Sequence, residues 1–310
     1  MRYDKCDSET ETLYGWTMTQ TGNSGAGPEK QSDGMSRPAV ADILALLHDE
    51  TDAYPAAAYA VGLAETFGAH LTVTCIARDP ARQLYLAQAQ AQILVAAVDA
   101  ARAAASAFAG RIAKAAADRG VSATPLMREI PIGQGWSEIA QFARLFDIAV
   151  LARPAGEDAA RDEAMLEAVL LQAGRAVIAV PPAYGRPVSF ARPVVAWDGS
   201  RSAVRALAEA MPILRHAGQA RVITVEVGNG TIPAVPDIAP HIERHAIACT
   251  RRTAPLSGSV ANTLLADVRA AAGDLLVMGA YGHSRLREMV LGGTTRDILR
   301  LADLPVLFAF

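Results

Sequence analysis

The chain has 310 residues, 51% hydrophobic and 20% charged, with a formal net charge of −3 at pH 7. This composition describes a globular protein long enough for two domains that each bury a core, and it excludes a largely disordered chain. The small negative charge gives no electrostatic basis for binding nucleic acid or an anionic membrane. Three cysteines, Cys6, Cys75 and Cys249, lie far apart with no CxxC pair. They support neither a disulfide framework nor a zinc site, which suits a reducing cytosol.

In chain order, residues 1–37 are rich in Ser, Thr, Gly, Asp and Glu and show no apolar period, so a disordered tail is predicted there. The opening MRYDKCDSETETLYGW is polar and acidic-leaning, unlike a signal peptide. The most apolar long stretch, Ile93 to Gly110, is dominated by alanine and carries Asp99 and Arg102. It reads as an exposed or half-buried helix rather than a membrane span. A soluble, cytoplasmic protein is the expectation.

Beyond the tail the same order of elements occurs twice. The first unit opens with a strand at Ile43–Leu47, followed by His48-Asp49-Glu50-Thr51; the second opens at Pro193–Ala196, followed by Trp197-Asp198-Gly199-Ser200. Each continues with an Ala-rich helix and a second strand, 71–75 in one unit and 222–227 in the other. Each then has a strand after an aspartate, 148–151 after Asp147 and 275–278 after Asp274, and a closing strand, 176–180 and 305–308. Short apolar strands alternating with helices predict βαβ units and a parallel, doubly wound sheet in an α/β fold. The Pro/Gly-dense stretch Pro181–Pro187 breaks regular structure between the units. Domains at 38–182 and 190–310, with a linker at 183–189, are expected.

The second unit contains LLVMGAYGHSRLREMVLGGTT, residues 275–295. A buried strand runs into Gly279, and Gly282 and Gly292 complete a Gly-x2-Gly-x9-Gly spacing before the last helix. A strand, a glycine-rich loop and a helix N-terminus present backbone N–H groups to one point, which favours an anion such as phosphate. Within or next to the loop, His283, Arg285, Arg287 and Arg296 could neutralise phosphate charge, Arg285 being the favoured one. Asp198 could accept hydrogen bonds from a ribose or adenine, or could cap the following helix. The first unit's counterpart, Leu151 to Asp158, has Ala152 and Ala155 in place of the first two glycines. Pro154 lacks an N–H, and Glu157 and Asp158 are acidic. It is expected to bind no nucleotide in this way and to serve as a partner for the second unit.

Several chemistries are excluded. The chain's only lysines are Lys5, Lys30 and Lys114, so the Gly-x4-Gly-Lys-Ser/Thr phosphate loop of many NTPases is absent. The glycines do not fit Gly-x-Gly-x-x-Gly with a following acidic residue, so a nicotinamide dehydrogenase is unsupported. His241 and His245 would share a helix face, but Glu243 is misplaced for a metalloprotease and no third ligand is evident. Gly-x-Ser-x-Gly is absent as well.

The glycine spacing resembles the ATP-binding motif of the universal stress protein family, Gly-x2-Gly-x9-Gly-Ser/Thr, and the repeated units resemble its tandem form. Here Gly293 occupies the Ser/Thr position, with Thr294 and Thr295 after it. The resemblance implies two tandem domains, each a five-stranded parallel sheet flanked by helices, paired within the chain through their last strands. It also allows a homo-oligomer. It implies ATP or another adenine nucleotide, with magnesium as its candidate counter-ion, bound in the second domain. Asp198 would then lie at the adenosine end, and the Val227 backbone would contact adenine. Gly279, Gly282, Gly292, Gly293, Thr294 and Thr295 would hold the phosphates. A stress-response or signalling module that is at most a slow ATPase follows. The alternatives are a nucleotide-free structural or partner-binding protein of the same fold and an adenine-nucleotide hydrolase or transferase.

Overall fold

The computed structural model describes residues 39–48, 50–77, 91–130, 135–156, 159–227, 236–280 and 293–310. The expected tail at 1–37 lies outside the described residues, as do Gly282, His283, Arg285 and Gly292. From Arg37 to Phe310 the chain forms one compact unit.

Its centre is one sheet of ten strands in the order β3-β2-β1-β4-β5-β10-β9-β6-β7-β8. The first half supplies β1 (Asp42–Leu47), β2 (His70–Ile76), β3 (Ala123–Arg128), β4 (Ile148–Ala152) and β5 (Ala176–Val180). The second supplies β6 (Pro193–Ala196), β7 (Gln219–Glu226), β8 (Ala248–Pro255), β9 (Leu275–Gly279) and β10 (Val306–Ala309). Pairing is parallel within each half. The halves join where β5 and β10 pair antiparallel, with Leu307 opposite Ile178 and Phe308 opposite Val177.

Alternation along the strands divides the core between the two faces of the sheet. Ile43, Ala45, Leu47, Val150, Ile178, Val195, Val277 and Leu307 point to one face. There they pack with helices α1 (Glu50–Phe67), α2 (Ala91–Ala117) and α5 (Arg201–Ala217). Leu44, Leu46, Ala149, Leu151, Val177, Leu276, Met278 and Phe308 point to the other. Their partners are α3 (Ser137–Ala143), α4 (Ala159–Gln172), α7 (Val260–Ala270) and α8 (Thr294–Leu301). A short helix, α6 (Ala239–Arg244), precedes β8. Strands buried on both faces require continuous apolar runs, and DILALL, AVIAV and LLVMG supply them.

The structure adds β3 and β8, neither of which shows an apolar run. Their sequences are ATPLMR, half exposed and half partly buried, and ACTRRTAP, mostly exposed, because both strands lie at the sheet edges. The strand expected at 222–227 begins earlier and stops at Glu226, which leaves Val227 just beyond it. Helix α2 covers the Ala-rich stretch. By length and composition it could cross a membrane, and 17% of its most apolar window is buried. Its C-terminal part packs through Ala105, Phe108, Ala109, Ile112, Ala113 and Ala116.

Candidate functional site

Chain order turns back between β6 and β9. From β6 the chain proceeds outward through β7 to β8, then returns to β9 on β6's other side. Crevices at the carboxyl ends of strands form at such switch points. A cavity of about 190 Å³ opens there.

Its apolar walls come from Ala196 and Trp197 at the end of β6, Ile223 and Val225 of β7, Met278 of β9, and Val260 and Leu264 of α7. Trp197 is held by its indole N–H, which donates to the Pro236 carbonyl at 3.1 Å. Two helix N-termini meet at the polar end, α5 through Ser202 and Ala203 and α8 through Gly293, Thr294 and Thr295. Asp198, Val227 and Gly279 complete the lining.

Local sequence explains why α5 starts and stops where it does. The Ser200 hydroxyl accepts the Ala203 N–H at 3.2 Å, and Asp198 Oδ1 accepts the Ser200 N–H at 2.9 Å. Asp198 therefore stabilises the turn while its side chain borders the cavity. Ala203, Ala206, Leu207, Ala210, Ile213 and Leu214 form a buried stripe at helical spacing. Gly218 ends the helix at φ 69°, a left-handed conformation that favours glycine, and its N–H donates to Leu214.

At α8 the cap is Gly293, which has no side chain to offer the first turn. The first turn of α8, where the helix dipole is positive, borders the cavity. Thr294 lines it, as does Thr295, which is buried.

Gly279 is fixed by packing. A Cβ there would lie 2.4 Å from the Ser202 carbonyl carbon and 2.5 Å from the Ala203 nitrogen. Strand β9 meets the first turn of α5 so closely that only hydrogen fits between them. The need for glycine at this position therefore exists without any ligand.

Six of the ten sequence-derived positions thus converge on one cavity: Asp198, Val227, Gly279, Gly293, Thr294 and Thr295. Gly282, His283, Arg285 and Gly292 lie outside the described residues. Sequence reading missed Ser202 and the apolar walls. A hydroxyl on the first turn after Asp-Gly-Ser is a weak local signal, and core-type side chains give none. No lysine, arginine or histidine lines the cavity among the described residues, and Asp198 is the one carboxylate there.

The corresponding place in the first half differs. His48, which follows β1, sets its imidazole Nε2 against the buried carboxylate of Asp162 in the first turn of α4. The two side chains are 7% and 5% exposed, so they bridge the end of β1 and the start of α4. Pro154 and Ala155 lie between β4 and α4, while Glu157 and Asp158 are outside the described residues.

Residues 239–309 match the model of the Universal stress protein family. The universal stress protein Slr1230 of Synechocystis sp. is 59% identical over 34 residues, which are 11% of this chain and 12% of that protein. The chain therefore spans only a small part of this curated relative. Among solved structures, a universal stress protein of Archaeoglobus fulgidus DSM 4304 superposes with a TM-score of 0.64 at 20% identity, covering 86% of this chain and 95% of its own. Protein PA1789 of Pseudomonas aeruginosa PAO1, of unknown function, gives a TM-score of 0.51 at 14% identity over 87% of this chain and 92% of its own. At such identities the likeness is one of fold. The glycine spacing, the strand order and the match over residues 239–309 together make the C-terminal region of this chain similar to the universal stress protein family.

Proposed function

We propose that the cavity at the ends of β6, β7 and β9 binds one adenine nucleotide, ATP foremost, and that the protein is a cytoplasmic, nucleotide-responsive stress or signalling module with little or no hydrolysis. The observation that carries this reading is the convergence of two helix N-termini, α5 and α8, on the polar end of an apolar cavity. An adenine ring suits the wall of Trp197, Ile223, Val225, Met278 and Leu264, and phosphates suit the N–H groups at Gly293 and Thr294. Asp198 would accept from the ribose hydroxyls and the Val227 backbone would meet the base. Gly282 and Gly292 would help hold the phosphates, and His283 and Arg285 would neutralise their charge. Slow or absent hydrolysis follows because no lysine is available in this half and no described residue is placed as a base at the cavity.

Magnesium fits only as a companion of the nucleotide. The described residues contain no group of three or more His, Cys, Asp or Glu able to hold a metal. A bound ion would be held mainly by phosphate oxygens and water. In this proposal residues 38–182 form a degenerate domain, closed at its own switch point by His48 and Asp162, that pairs with the domain at 190–310. A nucleotide-free partner-binding protein is the second reading, favoured by Gly293 at the hydroxyl position and by the carboxylate of Asp198 in the lining.

The Thr294 hydroxyl separates the two. A hydrogen bond from it to a phosphate oxygen contributes about 1.5–3 kcal/mol. Calorimetric titration should give one site per chain, with Thr294→Ala weakening ATP much more than adenosine and Thr294→Ser retaining most of the affinity. Two equivalent sites would overturn the single-site assignment. Wild-type protein that binds neither ligand would favour the partner-binding reading.

A further inference from the structure

The helix that presents Gly293, Thr294 and Thr295 to the cavity is gripped by the other half of the molecule. Arg153, just past β4, donates from Nη1 to the carbonyls of Leu299 at 2.8 Å and Arg300 at 2.6 Å. These carbonyls belong to the last turn of α8, where a helix has no internal donors left and where its dipole is negative. Closer to the other end, Glu163 Oε1 accepts from Arg296 Nε at 2.9 Å, with both side chains about one-third exposed. Arg153 and Glu163 lie beyond the β5·β10 seam, in the half whose own counterpart of the cavity is bridged by His48 and Asp162. Glu163 is the next residue after Asp162, so the buried pair and the grip on Arg296 share one turn of α4.

We propose that Arg153 and Glu163 are positioning residues for the phosphate end of the nucleotide: the first half holds α8 at both ends so that its first turn stays against the cavity. This rests on the nucleotide reading above. Arg153 is suited to the task because a guanidinium remains cationic even where burial lowers its pKa, as it does here. The two N–H bonds of its Nη1 serve the two carbonyls at once. Loosening either contact lets α8 shift or fray, which dilutes the phosphate-binding geometry and leaves the walls around the base in place. The penalty therefore falls on ligands that carry phosphates.

The test titrates ATP and adenosine into the full chain as wild type, Glu163→Gln, Arg153→Met and Arg153→Lys, with amide exchange over residues 294–301 measured without ligand. Glu163→Gln and Arg153→Met should each weaken ATP about three- to tenfold, in the range typical of residues that couple to a site without touching it. Adenosine affinity should change less than about twofold, and exchange in α8 should quicken. Arg153→Lys should restore most of the ATP affinity, since an ammonium still caps the last turn. Equal losses for ATP and adenosine, or unchanged ATP affinity in both variants while the wild type binds, overturn the positioning role alone. A wild type that binds neither ligand removes the nucleotide reading and this inference with it. Glu163→Gln keeps the test informative should Arg153→Met fold poorly.

Discussion

Gly279 shows how one residue can be legible in sequence for a reason other than its structural one. Its place in Gly-x2-Gly-x9-Gly suggests a phosphate loop, whereas in the fold it is the point where β9 touches the backbone of Ser202 and Ala203. Gly279→Ala puts a methyl group within 2.6 Å of three atoms, two of them backbone, so the first turn of α5 must move. Overpacking of this kind costs about 1–3 kcal/mol. Urea denaturation should report a loss of that size, and nucleotide affinity should fall too because the same turn lines the cavity. A variant as stable as wild type would mean that α5 shifts freely. Ser202, also in that turn, has no motif to announce it; its importance arises from a contact with a strand far along the chain.

Among the elements, the edge strand β8 and its neighbour β7 are tied to α7 by one carboxylate. Arg221 of β7 binds Asp267 of α7 through two hydrogen bonds, 2.8 Å and 2.9 Å, and Arg252 of β8 approaches the same group at 3.2 Å. The hydrogen bonds from Arg221 lower the Asp267 pKa below its ordinary value, aided by the charges of Arg221 and Arg252 and opposed by burial. A depressed carboxylate pKa favours the folded state above the unfolded pKa of about 4, and that contribution disappears as pH falls through the folded value. Asp267→Asn should therefore cost about 1.5–3 kcal/mol at pH 7. The gap from wild type should narrow as pH drops below about 4. Denaturant midpoints at pH 7 and in that acid range check this; a gap independent of pH would leave packing rather than charge as the cause. Because α7 contributes Val260 and Leu264 to the cavity, the tie also holds one of its walls. This tie could not be found from sequence, since Arg221 and Asp267 are far apart in the chain and Arg252, on a polar edge strand, resembles a solvated surface residue.

At the scale of the whole molecule, the β5·β10 seam makes a single sheet of ten strands. Phe308 is fully buried beside Val177 and Ala179, so the hydrophobic core is continuous across it. Phe308→Ala should lower stability by about 3–5 kcal/mol. It should also speed amide exchange in β4 of the first half as well as in β9 of the second. Loss of protection confined to residues 190–310 would show that the halves unfold separately. Arg153 and Glu163 cross the same seam, so stability there and the geometry of α8 should respond together.

By itself the sequence determined the alternation of short apolar strands with helices, its repetition, and the glycine-rich stretch before the last helix. These are local properties, set by side-chain period and backbone freedom, and a reader of the chain can see them without knowing what touches what. The hidden features all depend on contacts between residues far apart in sequence. The tertiary structure alone decided that β3 and β8 are strands, because backbone pairing at a sheet edge needs no apolar run. It decided that the two closing strands meet antiparallel, that Ser202 fills the space a side chain at Gly279 would take, and that Arg153 reaches the last turn of α8. A hydrogen bond from a guanidinium to a helix carbonyl leaves no periodic trace in sequence, and neither does a close approach of two backbones. Only the folded packing brings them together.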